Sequence, residues 1–166
     1  TVPLGKVAGA DEMVNEAERA RNSDDRYDLD RFVQAQEQHY QRALAELAGG
    51  RKSSHWMWFI FPQIDGLALS ATSRRYAIKS RAEARAYLDH PLLGPRLLEC
   101  VAAVLSIEGR MAREIFDSPD DLKLRSCATL FAWLSPEGSP FDRLLIKYYG
   151  GEHDGGTLRI LGVAGT

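Results

Sequence analysis

His55-Trp56-Met57-Trp58-Phe59-Ile60-Phe61-Pro62-Gln63 is the stretch on which the fold class turns. Trp56, Trp58 and Ile60 alternate with Met57, Phe59 and Phe61, so both faces of an extended segment would be apolar. That pattern fits an enclosed strand, and nothing in it opposes a short buried helix. Pro62 restricts Phe61 and stops a regular helix nearby. Gly66 marks a further turn. A buried strand has no obvious need of His55 at one end and Gln63 at the other. A pocket with an aromatic wall and a few polar groups uses all of these residues.

Upstream, Leu29, Phe32, Val33, Gln36, Tyr40, Leu44 and Leu47 recur near helical spacing and form one face of an amphipathic helix. Asp28 is placed to cap it at Leu29, and Gly49-Gly50 ends it. Residues 1–26 are polar and charged and read as a flexible N-terminal extension; a short surface helix over Asp11 to Arg21 is the alternative. Downstream, Leu67 to Tyr76 carries three serines or threonines and two arginines and reads as a surface loop folded over the aromatic run. Ser80 and Glu83 have capping-box spacing ahead of a helix over Arg81 to Leu88. His90-Pro91 ends that helix, and Gly94-Pro95 opens the next unit, a helix from Arg96 to Ile107. Gly109 interrupts it, and a short helix follows over Met111 to Phe116. Asp117-Ser118-Pro119 is a turn. From Asp120, the pattern Leu122, Leu124, Cys127, Leu130, Phe131 and Leu134 gives another long helix. Phe141 to Tyr149 is helical up to Gly150-Gly151, and Asp154 caps a last helix through Leu161.

These signals predict an all-α or mainly α fold, an irregular single-domain bundle of five to seven helices over 27–162, with 163–166 as a flexible C-terminus. Strands and helices do not alternate, which argues against a doubly wound sheet. A small sheet at the aromatic run is the alternative. A chain of 166 residues fits one domain with a sizeable core.

Charge is nearly balanced, with 21 basic and 23 acidic side chains. A nonspecific nucleic-acid binder carries a clear basic excess, so specific nucleic-acid binding is not expected. Cys100 and Cys127 read as reduced core thiols, with one disulfide as the alternative. There is no apolar run of membrane-spanning length, and the start lacks a secretion pattern, so a cytoplasmic protein away from membranes is expected, as a monomer or weak homodimer. The four histidines form no His-Glu-x-x-His unit, and no paired Cys-x-x-Cys occurs. Neither a metal site nor a cofactor is expected. No P-loop or dinucleotide glycine fingerprint is present, and Ser126-Cys127 lacks a nucleophile elbow.

Several blocks together carry a family resemblance. They are Ser54 to Gln63, Tyr76-Ala77-Ile78, Glu83 to Leu88, His90 to Leu97, and Ile115 to Ser126. In this order they resemble the bacterial family catalogued as domain of unknown function 1810, over roughly Tyr27 to Gly162. The resemblance implies a small, mainly helical cytoplasmic protein with no settled activity. Some members carry a calpastatin label, and nothing in this sequence supports a protease-inhibitor role. At fold level the family is also similar to the one containing riboflavin-pathway N-glycosidases and ADP-ribosyl-guanosine hydrolases. A shared fold does not establish a shared reaction.

His55 is a candidate general base, a role that imidazole fills at neutral pH; locking the start of the aromatic segment is the structural alternative. Trp56 and Trp58 are candidates for a wall on which a base-like ring stacks, with core packing the simpler role for at least one. Gln63 suits recognition of an amide or base edge, or a cap after Pro62. Arg75 and Tyr76, after Arg74, suit closure over a phosphate, or an exposed basic pair and its anchor. Lys123 and Arg125 suit anion neutralisation at a helix N-terminus, although two residues apart they do not share a helix face. N-glycoside cleavage needs an acid or base, for which Glu83, Glu108 and Asp121 are candidates, with Asp120 weighed beside Asp121 and capping the competing role. Arg51-Lys52 reads as a solvated basic pair or a phosphate contact. The sharpest expectation is that His55 and Lys123 or Arg125 face one cleft that takes a small nucleotide-like or ADP-ribose-like ligand. A noncatalytic metabolite-binding or protein-interaction module is the alternative.

Overall fold

Capping side chains and helix-breaking turns divide the chain into short helices. The structure, a computed structural model, describes residues 25–163. The extension expected over 1–26 and the tail expected over 163–166 lie outside the described residues, apart from Asp25, Arg26 and Val163. Ten helices are present among the described residues: α1 (Asp30–Glu37), α2 (Tyr40–Ala48), α3 (Met57–Ile60), α4 (Ala71–Tyr76), α5 (Arg81–Asp89), α6 (Leu93–Leu105), α7 (Ala112–Phe116), α8 (Asp120–Trp133), α9 (Pro140–Tyr149) and α10 (Gly155–Leu161). The class is all-α, as expected. The helix count exceeds five to seven for identifiable reasons.

The single helix expected from 29 to 48 is two. The chain turns at Gln38-His39, where the His39 amide bonds the Gln36 carbonyl at 3.1 Å. Gln36 and Tyr40 stay at helical spacing across the turn and both are buried, so periodicity alone hides the break. Asp28, expected as the cap of the first helix, is in the turn just before it. Its φ of 52° lies in the left-handed region, and Asp25 accepts the amides of Leu29 at 2.5 Å and Asp30 at 3.0 Å.

The aromatic run is one turn of helix. The Ile60 and Phe61 amides bond the carbonyls of Trp56 and Met57, each at 3.1 Å. The alternative of a small sheet at the aromatic run is not found among the described residues, where the one β-bridge is parallel, between Ile64 and Ile78. The loop expected over Leu67 to Tyr76 contains α4, because the Ser70 hydroxyl caps it by accepting the Ser73 amide at 3.1 Å.

Ser80 caps α5 through the Glu83 amide at 3.1 Å. The other half of the expected capping box is not made, because the Glu83 carboxylate pairs with Arg31 at 2.7 Å. His90 Nδ1 accepts the amides of Leu92 and Leu93, at 3.1 and 3.2 Å, and so starts α6 before Arg96. Pro95 is tolerated in that first turn, where its missing N–H has no intrahelical partner to lose. A Cβ on Gly94 would stand 2.1 Å from the Leu88 carbonyl oxygen, so only glycine permits α5 and α6 to meet this closely.

From Arg31 onward the helices form an irregular bundle. α6 packs on α2, α5 and α9, while α8 packs on α7, α9 and α10. A line of rings crosses the core. Phe32 meets Tyr87 edge-on at 5.1 Å, Tyr87 meets Phe131 at 5.7 Å, and Phe131 meets Phe141 at 5.5 Å. A second cluster joins Trp56, Phe61 and Phe116 at centroid separations of 6.0–6.4 Å. Buried Gln36 ties the two regions, donating to the Phe59 carbonyl at 2.8 Å and to the Tyr87 hydroxyl at 3.1 Å. Cys100 and Cys127 are both buried and free. Burial, with Glu99 nearby, pushes the Cys100 thiol up to about 12, and burial raises Cys127 as well, so both are inert packing groups. Among the described residues no helix is long and apolar enough to cross a membrane.

Candidate functional site

The site begins with a glutamate on α2. Glu46 accepts the backbone amides of Ser53 and Ser54 at 2.6 and 2.8 Å, the Ser54 hydroxyl at 2.5 Å and the Trp56 indole N–H at 3.0 Å. Burial alone would raise its carboxyl. The four donors outweigh burial and hold it at about 2. On the other side, the Lys52 amide bonds the Ile115 carbonyl at 2.8 Å. The loop from Arg51 to Trp56 is thereby fixed between α2 and α7. Trp56 is turned fully into the core, and His55 is left exposed.

Because the folded-state carboxyl of Glu46 is lowered, its contribution is present above pH 4.5 and disappears as pH falls toward 2. Glu46→Gln keeps the shape and removes the charge. Urea unfolding between pH 6 and 2 is expected to show the wild type losing about 1 kcal/mol more than Glu46→Gln over that window, since solvent screens this partly exposed carboxylate. Parallel losses in the two proteins would show that the carboxylate does not bind the loop in this way.

Asp120, the first residue of α8, is the second anchor. It lies 2.9 Å from Lys52 Nζ and 2.9 Å from Lys123 Nζ. Burial pushes its carboxyl up, but hydrogen bonds and charge from the two lysines prevail and hold it below its usual value. Lys52 also donates to the Ser54 carbonyl at 2.6 Å. The Lys123 ammonium sits 4.2 Å from the centroid of the half-buried Trp58 ring, within cation–π range.

Around this carboxylate lie two adjoining hollows, of about 490 Å³ and 320 Å³. The larger is polar. It runs between Arg51 to His55 and the turn Phe116 to Asp120. The smaller is aromatic, bordered by His55 to Phe59, Ser70, Thr72 and Lys123. Lys52, His55 and Asp120 border both. Asp117, in the turn, has φ 59° and ψ 170°, a region almost confined to glycine. It stands 3.5 Å from Arg51.

His55, Trp58 and Lys123 therefore line one cleft. The other sequence candidates are placed differently. Trp56 is core and offers no stacking face. Arg125 points away from Lys123, toward Asp154 at 3.8 Å and Glu152 at 4.0 Å, because two residues along a helix is about 200° of rotation. Asp121 borders neither hollow. Its carbonyl accepts the Tyr149 hydroxyl at 2.5 Å, and Asp120 takes the position in the cleft. Glu108 is exposed and pairs with Lys147 at 3.6 Å, at the end of α6. Glu83 is held in its buried ion pair. Arg75 is exposed, with its guanidinium 5.6 Å from the Tyr76 ring. Tyr76 packs edge-on against Phe59 at 5.4 Å. Gln63 and Tyr76 border a separate small space behind Trp58. Among the described residues no three His, Cys, Asp or Glu side chains gather as metal ligands. Neither Glu46 nor the shared role of Lys52 is legible in the sequence. The three-residue step from Asp120 to Lys123 was the available signal for that pair.

Fold and site together define a small all-α protein with a cleft that is polar at one end and aromatic at the other. The chain belongs to the family described as "Protein of unknown function (DUF1810)", whose pattern matches residues 26–161. It is similar to the conserved hypothetical protein Rv1873 from Mycobacterium tuberculosis, known from a crystal structure. The two are 51% identical, with a TM-score of 0.82, over 84% of this chain and 100% of that one. No curated protein matches the chain.

Proposed function

We propose that this cleft binds a small anionic metabolite with a planar ring, of the nucleotide or ADP-ribose type. The division of the cleft carries the reading. Trp58 offers a ring face in one hollow, while Arg51, Lys52 and the serine hydroxyls offer an anion site in the other. Three cations (Arg51, Lys52, Lys123) against two carboxylates (Asp117, Asp120) leave the lining with one net positive charge, counting His55 as neutral. The lysines keep donors to spare. Each ammonium has three N–H groups; Lys123 commits one to Asp120, and Lys52 commits one to Asp120 and one to Ser54.

Asp120 lies where the two hollows meet, beside the position that a sugar joining ring to phosphate would take. A carboxylate held ionised there favours positive charge developing at an anomeric carbon. His55 is placed to move the proton. In such a hydrolysis the carbon–nitrogen bond breaks, its electron pair stays on the leaving nitrogen, which takes a proton, and water adds to the carbon. The similarity to N-glycosidases expected from the sequence points to this reaction class, by analogy of fold alone.

The test is titration with AMP, ADP-ribose and riboflavin precursors, following tryptophan fluorescence and, by mass spectrometry, released base. Saturable quenching is expected, with Lys123→Ala weakening affinity about tenfold or more through loss of a charge-assisted contact. Binding without released base would remove the hydrolytic step and leave a binding protein. Absence of binding across the set would overturn the reading.

A further inference from the structure

The polar hollow is larger than a phosphate requires. A phosphate is smaller than a base, yet the polar hollow, at about 490 Å³, exceeds the aromatic one, at about 320 Å³. A ligand whose ring fills the smaller hollow has room beyond its phosphate in the larger.

Asp117 borders that room. Its φ of 59° and ψ of 170° put a residue with a side chain where glycine alone is unstrained. Glycine would therefore be the more stable choice at this turn. Contacts within the protein do not offset the cost. Among the described residues the partner of the carboxylate is Arg51, at 3.5 Å, with the two side chains 69% and 59% exposed. An ion pair so open to water contributes less than such strain costs. Nor does the carboxylate cap α8, which starts after Pro119 without a side-chain cap.

Resting on the proposed binding of a ring and phosphate in this cleft, we propose that Asp117 determines specificity for a sugar carried beyond the phosphate, its carboxylate accepting two neighbouring hydroxyls. The carboxylate repels phosphate, which leaves that group to the Lys52 side of the hollow. Arg51 beside it repels a cationic group. A neutral hydrogen-bond donor is what fits, and a sugar diol offers two, one for each carboxylate oxygen. Acidic side chains hold ribose hydroxyls in this way in dinucleotide sites. The ligand class then narrows to nucleoside diphosphates whose terminal phosphate carries a sugar.

ADP and ADP-ribose isolate this contact, since they share base, first ribose and diphosphate. Calorimetric titration is expected to favour ADP-ribose about tenfold, the effect of hydrogen bonds to a charged acceptor. Asp117→Gly removes the carboxylate and relieves the backbone. It should abolish the preference, weakening ADP-ribose and tightening ADP about twofold as a repelling charge is lost. Its urea unfolding midpoint should rise. Asp117→Asn keeps the shape and one acceptor and should keep only part of the preference. Equal affinities in the wild type, tighter binding of ADP, or a preference that survives in Asp117→Gly would each overturn the assignment. So would a lower midpoint or a failure to fold in Asp117→Gly, because the carboxylate would then be stabilising the turn itself. If ADP or AMP binds and ADP-ribose binds no more tightly, the assignment fails and the binding reading stands. If none of the three binds, both fail.

Discussion

Glu83→Ala is expected to lower stability by about 3–5 kcal/mol, read as a fall in the urea unfolding midpoint. Its carboxylate lies 2.7 Å from the Arg31 guanidinium, and the two side chains are 3% and 9% exposed. Arg31 also donates to the Arg75 carbonyl at 2.7 Å and to the Ala77 carbonyl at 2.9 Å. One guanidinium thus joins α1 to α5 and satisfies carbonyls at the end of α4. Removing the glutamate takes a carboxylate away from a buried guanidinium, and breaking one member of a buried pair costs more than never having placed the pair there. Glu83→Gln, which retains an acceptor, should lose less. A change below about 1 kcal/mol in Glu83→Ala, the range of solvated pairs, would show that the pair is not sequestered.

The second large effect separates the two tryptophans. Trp56→Ala is expected to lose about 3–5 kcal/mol of stability, the range for emptying a large buried aromatic site. It removes a fully buried ring packed on Phe61 and Phe116 and takes a donor from Glu46. Trp58→Ala, at a half-buried position, should lose only about 1 kcal/mol yet abolish ligand binding. Chemical unfolding and ligand titration on the same two proteins give a crossed result. Equal losses of stability, or binding that survives in Trp58→Ala, would contradict the assignment of one ring to the core and the other to the cleft.

The tryptophans also show where the letters were readable and where they were not. Extended, Trp56 and Trp58 would lie on one face. In a helical turn they are about 200° apart, so one enters the core and the other the cleft. Apolar residues on every side of the run erased the periodicity that would have told these apart. Caps were more legible. Ser80 and Asp154 start the helices assigned to them, and Gly49 and Gly150 end theirs. Ser70 lies in a serine-rich stretch that suggests a loop, yet it caps α4. His90 before Pro91 signals a helix end, and it also starts the next helix through Nδ1. In the site, His55, Trp58 and Lys123 were visible as unusual residues in separate blocks. Glu46 was not, because a glutamate late in an amphipathic helix reads as solvated. Only the return of the chain after Gly50 brings four donors to it. Asp120 and Asp121 were interchangeable as letters, and the direction of the first turn of α8 chose between them.

The Glu46 clamp has a bearing on the entropy of recognition. Ordering a flexible loop around a ligand commonly consumes part of the interaction free energy. Here the segment carrying Lys52 and His55 is already immobilised by bonds to α2 and α7 before any ligand arrives. Binding of the proposed ligand would therefore approach a rigid fit on the loop side, its cost falling mainly on the Lys123 side chain over Trp58.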